Sequence, residues 1–126
     1  MIRGLGIDLA EIGRIRSAWE RFGERFAAKA LTPAELEVMR TRRDPVPYLA
    51  ALWAAKEAAV KALGTGYKLG VHPKTVEIRH LPSGKPEIFF LGRAREVAEE
   101  LGVTSASVSM THERGMAAAV VVVEGE

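Results

Sequence analysis

Two acids and a lysine carry the most pointed chemistry in this chain. Asp8 lies in GIDLAEI, and Glu57 lies in WAAKEAAVKALGTG one helical turn before Lys61. Converging carboxylates attract a hard cation, and Mg²⁺ commonly takes one or two of them, filling its shell with water and substrate phosphates. Lys61 would neutralise phosphate charge, and Gly64, Thr65 and Gly66 after the helix would add free backbone N–H groups. Each piece also has a plainer reading. Glu57 and Lys61 stand at i, i+4 and would form a surface pair worth about 0.3–0.5 kcal/mol. Lys56 would snorkel, and GTG would be an ordinary helix stop without the order of a GxxxxGK[ST] loop. For the helix alone the plainer reading is favoured. Asp8 shifts the balance towards a shared cation site, while two separate surface acids stay open.

The elements that would position these groups follow from periodicity. Ile2–Leu9 reads as a strand with Leu5, Ile7 and Leu9 on one face and Gly4, Gly6 and Asp8 on the other. The glycine face would admit another backbone or a ligand closely, and Asp8 at its end is a helix cap or a ligand. The longest helix spans about Val46 to Leu63, with Leu49, Trp53, Val60 and Leu63 on one side and Gly64 closing it. Asp8 and Glu57 could then meet over the bare glycines.

Between these segments, Glu11–Phe26 reads as one helix docked by Ile12, Ile15, Trp19, Phe22 and Phe26, which fall within about 80° of each other. Arg14, Arg21 and Arg25 form a row almost opposite that stripe. Thr32, Pro33 and Glu35 give a capping box that opens a short helix ending near Arg43. Strands at Lys74–Leu81 and Glu87–Leu91 flank the turn PSGK, and Arg93–Leu101 reads as a helix. In SASVSMTH, Ala106, Val108, Met110 and His112 share one face and Ser105, Ser107, Ser109 and Thr111 the other, before a continuous apolar strand, MAAAVVVV, expected to be buried on both sides. The order implies one α+β domain over residues 1–126, with a mostly antiparallel sheet.

Other features are ambiguous when taken alone. Ser83–Glu87, with Lys85, is an anion-binding turn or a plain hairpin. His112 is an anion or base contact or a structural histidine. The arginine row is a solvated face or a dock for an acidic partner. No cysteine is present, so thiolate metal sites and cysteine nucleophiles are excluded. A net charge of +2, 6% aromatic residues and the lack of a recognised motif argue against nucleic acid. No apolar run reaches the length of a membrane span, which makes the cytoplasm the expected compartment.

Taken together, GIDLAEI, RFAAKALTPAE, WAAKEAAVKALGTG, SGKPE and VSMTHE resemble, in order and spacing, the holo-[acyl-carrier-protein] synthases, the small bacterial 4′-phosphopantetheinyl transferases. The likeness runs nearly end to end. It implies transfer of phosphopantetheine from coenzyme A to a serine of apo acyl carrier protein, releasing adenosine 3′,5′-bisphosphate, in support of fatty acid biosynthesis. It implies Mg²⁺ held by Asp8 and Glu57 and a phosphate contact from Lys61. Coenzyme contacts would come from Gly64, Thr65, Gly66, Ser83, Gly84, Lys85, Pro86 and His112. Arg14, Arg21 and Arg25 would grip the acidic carrier protein, and a homotrimer would place active sites between subunits. One departure stands out: Leu52 and Trp53 occupy positions where many relatives have arginine and phenylalanine.

Two other classes compete with this reading. A non-catalytic module would bind acidic proteins through the arginine row without Mg²⁺ or coenzyme A. A hydrolase with the same metal pair would consume coenzyme A or a nucleotide without any protein acceptor.

Overall fold

The computed structural model describes residues 1–126. Strand β1 (Ile2–Glu11) opens the chain, and its alternation resolves in favour of the glycines. Gly6 and Ala10 are buried, whereas Leu5, Ile7 and Leu9 are 63–65% exposed. The reason is a helix, α4 (Val46–Leu63), pressed against the bare face. A Cβ on Gly6 would stand 1.9 Å from the Ala58 carbonyl oxygen, and one on Gly4 2.0 Å from that of Ala62. Only glycine permits this approach.

Helix α4 forms as its sequence dictates. Seven alanines give it high helix propensity and a thin profile, and Gly64 closes it in a left-handed conformation at φ 79°. Thirteen of its eighteen residues are buried, so it is the axis of the core. Leu49, Leu52, Val60 and Val46 are essentially inaccessible, each side chain contributing about 1.5–3 kcal/mol of apolar burial.

The helix expected over Glu11–Phe26 is broken. Gly23 adopts φ 59°, which divides it into α1 (Ile12–Phe22) and α2 (Glu24–Ala30). Phe22, placed by periodicity on the docking stripe, is 51% exposed as a result. Helix α3 (Pro33–Arg40) opens with the capping box read from the sequence. The Glu35 amide donates to Thr32 Oγ1, and the Thr32 amide donates to Glu35 Oε1. It ends three residues earlier than expected.

A 3₁₀ turn (Pro73–Thr75) takes the start of the next predicted strand, leaving β2 (Val76–His80) to pair with β3 (Pro86–Phe90). After α5 (Gly92–Glu100), β4 (Ser105–Glu113) and β5 (Met116–Glu124) form an antiparallel hairpin. Strand β5 also pairs with β1, giving a three-stranded sheet in the order β1-β5-β4 beside the two-stranded one. The expectation that β5 is buried on both faces fails: Ala117, Ala119, Val121 and Val123 are buried, and their neighbours are only partly so. Alpha-helical cover exists on one side of this sheet alone. No helix is long and apolar enough to cross a membrane.

Lys56 does not snorkel. It is wholly buried and pairs with Glu35 at 2.7 Å, joining α4 to α3.

Candidate active site

The contact of α4 with Gly4 and Gly6 carries Glu57 and Lys61 to the outer edge of β1, beside Asp8. Lys61 Nζ donates to Asp8 Oδ1 at 2.9 Å and to the Ile7 carbonyl at 3.0 Å. Lys61 therefore reaches across to the strand, where sequence spacing alone pointed to Glu57. Its ammonium pKa is raised by the Asp8 carboxylate. Partial burial, then the negative charge of Asp8, pushes the Glu57 carboxyl above the usual range, with Lys61 opposing. Beside them runs a cleft of about 370 Å³ lined by Ile7, Asp8, Leu9 and Lys61.

Two carboxylates on neighbouring elements, with the charge of Asp8 acting on Glu57, suit a small hard cation. No third carboxylate or imidazole joins them in a metal-binding cluster, so other donors would be water and substrate phosphate. That donor set fits Mg²⁺. Sequence reasoning did not single out Tyr67. Burial and the charges of Glu57 and Asp8 raise its hydroxyl pKa, which places it within electrostatic reach of both acids. Its position directly after the GTG turn was the available signal.

The turn itself is less open than expected. The amides of Gly64, Thr65 and Gly66 donate to the carbonyls of Lys61 and Val60, ending the helix. Free backbone N–H groups are thus absent from these three residues, and contacts to a coenzyme would fall to the Thr65 side chain and the carbonyls.

Ser83, Gly84 and Lys85 lie in the β2–β3 hairpin turn and Pro86 opens β3; the Leu81 amide donates to the Lys85 carbonyl at 2.9 Å, and Gly84 has φ 91°. Strand pairing sets Pro86 against His80. His80 in turn borders a pocket of about 220 Å³ shared with His112, Arg42 and Tyr48. The Arg42 guanidinium lies 5.0 Å from the Tyr48 ring centroid. Burial and the Arg42 charge lower the His80 imidazole pKa. Arg42 and His80 were not read as site residues, because three distant segments build this pocket.

Asp8 and His112 therefore sit at opposite edges of one sheet. Asp8 opposes Ala119, and Ala119 opposes Met110 on β4, two residues before His112. Two strand spacings of about 4.8 Å each separate those edges, and the buried Ala54, Ala55 and Ala58 of α4 pack over the sheet. A single chain does not unite the two groups of candidate residues.

Arg14 and Arg21 on α1 and Arg25 on α2 are exposed and make no ion pair, unlike Arg16 with Asp44 at 2.8 Å and Arg40 with Glu24 at 2.7 Å. Arg14 borders a cleft of about 460 Å³ that includes Ile15, Phe26 and Trp53. Phe26 and Trp53 stack with centroids 5.5 Å apart. Leu52 is wholly buried, so that position supplies packing and no charge.

Residues 4–121 match the family model described as the 4′-phosphopantetheinyl transferase superfamily. The chain is 54% identical over 124 residues to the holo-[acyl-carrier-protein] synthase of Maridesulfovibrio salexigens, spanning 98% of this chain and 99% of that one. It is 53% identical over 127 residues to that of Solidesulfovibrio magneticus, spanning 99% and 100%. Among solved structures, the Neisseria meningitidis holo-[acyl-carrier-protein] synthase superposes with a TM-score of 0.91 at 40% identity, covering 98% and 99% of the two chains. The Helicobacter pylori holo-[acyl-carrier-protein] synthase in complex with coenzyme A gives a TM-score of 0.83 at 31% identity, covering 95% and 99%.

Proposed function

The chain belongs to the 4′-phosphopantetheinyl transferase superfamily, and from that membership we infer that it transfers 4′-phosphopantetheine from coenzyme A to a serine hydroxyl of apo acyl carrier protein. Adenosine 3′,5′-bisphosphate is the other product, and the holo carrier protein serves fatty acid biosynthesis. Coenzyme A is the donor, consistent with the H. pylori relative solved in complex with it. The observation that supports the site assignment is the 2.9 Å contact of Lys61 with Asp8 at the edge of β1, one helical turn from Glu57, on which the Asp8 charge acts.

In the proposed mechanism, the serine oxygen attacks the phosphorus bearing pantetheine. The bond from that phosphorus to the bridging oxygen breaks, and its electron pair leaves with adenosine bisphosphate. Glu57 takes the serine proton on its carboxylate. Lys61 Nζ offsets charge that grows on the pyrophosphate. Asp8 and Glu57 would hold Mg²⁺, which when bound supplies further neutralisation of that charge.

A homotrimer accounts for two features of the single chain. The β1-β5-β4 sheet presents an uncovered face in rows Leu5–Val122–Ser107, Ile7–Val120–Ser109 and Leu9–Ala118–Thr111, apolar except along β4. Packing copies together through this face would cover it, and would bring the His112 edge of one subunit to the Asp8 edge of another. The row Arg14, Arg21 and Arg25 would receive the acidic carrier protein.

Intact-mass spectrometry of apo acyl carrier protein incubated with the protein, coenzyme A and Mg²⁺ tests this reading. The expected result is a mass gain of one phosphopantetheine, lost with chelator, with Asp8→Ala and with Glu57→Gln. Release of adenosine bisphosphate without an acceptor would indicate a hydrolase instead. No gain across several carrier proteins would overturn the transferase reading.

A further inference from the structure

We propose that Lys56 is a positioning residue for coenzyme A, tying the returning end of the Gly64–Pro73 loop to α4 so that the loop is held beside the Lys61–Asp8 pair. This rests on the site assignment above. An ammonium has three N–H donors, and those of Lys56 meet three acceptors. They are Glu35 Oε1 at 2.7 Å, the Pro73 carbonyl at 2.8 Å and the Val76 carbonyl at 2.5 Å. Glu35 is equally committed: its carboxylate also accepts the amides of Thr32 at 2.8 Å and Ile78 at 2.7 Å. No buried side-chain nitrogen or oxygen lacks a partner.

The outgoing end of the loop is fixed to the same helix, where the Thr65 and Gly66 amides donate to the Val60 carbonyl at 3.2 Å. Val60 and Lys56 are one turn apart, about 6 Å along the axis. The loop thus leaves α4 and returns to it within a turn, an Ω-shaped closure of the kind that holds functional residues. Its first residue, Gly64, donates its amide to the Lys61 carbonyl, and the Lys61 ammonium is 2.9 Å from Asp8 Oδ1, so the loop begins beside the site.

Fold stability alone does not require such a pair, because apolar replacements of buried ion pairs are often neutral or stabilising. What the pair supplies is direction: one ammonium fixes two backbone carbonyls, and its counter-ion fixes two amides. Lys56 precedes Glu57, so the anchor of the loop and the proposed base share one rigid helix.

The test uses Lys56→Met and Glu35→Gln in the full chain, with Lys56→Arg as a variant that keeps the charge but not the three-point geometry. Expected is a KM for coenzyme A raised about tenfold or more with kcat and the carrier-protein KM little changed, the pattern of lost substrate binding. Amide hydrogen exchange across residues 65–72 should quicken in the folded variants. That exchange is read without coenzyme, so it reports on the tie whether or not the wild-type chain transfers phosphopantetheine. A lower kcat at unchanged coenzyme KM, unchanged loop exchange, or failure of all three variants to fold would reduce Lys56 to a structural role and overturn the proposal.

Discussion

Lys61 Nζ and Asp8 Oδ1 lie 2.9 Å apart across 53 positions of sequence, and the same ammonium is 3.0 Å from the Ile7 carbonyl. The lysine is thereby aimed at the strand edge before any substrate arrives. Lys61→Met should lower kcat by about 10²–10³, the range for loss of one preorganised charge donor, while the far-ultraviolet circular dichroism stays native. Wild-type turnover in this variant would remove Lys61 from the mechanism.

Two glycines predict opposite outcomes for the same change. Gly6→Ala must push the Ala58 carbonyl away from a Cβ that would stand at 1.9 Å, a destabilisation of about 1–3 kcal/mol by overpacking. It should also cost activity, because α4 carries Glu57. Gly13→Ala, on the exposed side of α1 with no atom within 4 Å of the new methyl group, should gain about 0.5–1 kcal/mol. Urea titrations of both variants compare them directly.

The unpaired Arg14 and Arg21 give a separate expectation. Arg14→Glu with Arg21→Glu should raise the carrier-protein KM about tenfold or more at low salt, because surface charge controls encounter. The coenzyme A KM should not follow. An equal rise in both constants would argue against a distinct docking face.

Leu5 is 63% exposed on the uncovered face of the sheet. Leu5→Glu should leave the subunit folded but shift it to monomer in sedimentation, with transfer activity lost. A wild-type protein that sediments as an active monomer would refute the proposed assembly.

Glu77 supplies a pH dependence. Burial raises its pKa, but hydrogen bonds from Thr32 and Arg79, with the charges of Arg79 and Lys56, outweigh that and leave it below the usual glutamate value. The unfolded chain therefore binds this proton more readily than the native one. The stability it contributes is complete above about pH 4.3, the unfolded value, and is lost as pH falls through the lower native value. Glu77→Gln should be less stable at neutral pH and show a shallower loss on acidification, measured as urea midpoints between pH 7 and pH 3.

Much of the site was legible because its signals are local. The apolar spacing of Leu49, Trp53, Val60 and Leu63 with Gly64 marked α4, and two glycines before Asp8 marked a face open to close approach. Periodicity does not register a single change of φ, so the break at Gly23 went unseen and Phe22 was assigned to the core. Alternation distinguishes the faces of β1 without telling which is covered, and here the covering surface is backbone. Lys56 was misread because its counter-ion lies 21 residues earlier, in a capping box whose local role hid a second one. His112, His80 and Arg42 come from separate segments, and no short motif records their meeting.

The seating of Gly4 and Gly6 against the carbonyls of Ala62 and Ala58 means that main-chain atoms gauge the approach of α4 to β1. Side chains elsewhere in the core can drift in size and shape while the gauge between Asp8 and Glu57 stays set. The same arrangement makes even the smallest enlargement felt: a single methyl group at either glycine must displace a helix carbonyl and so alter this spacing.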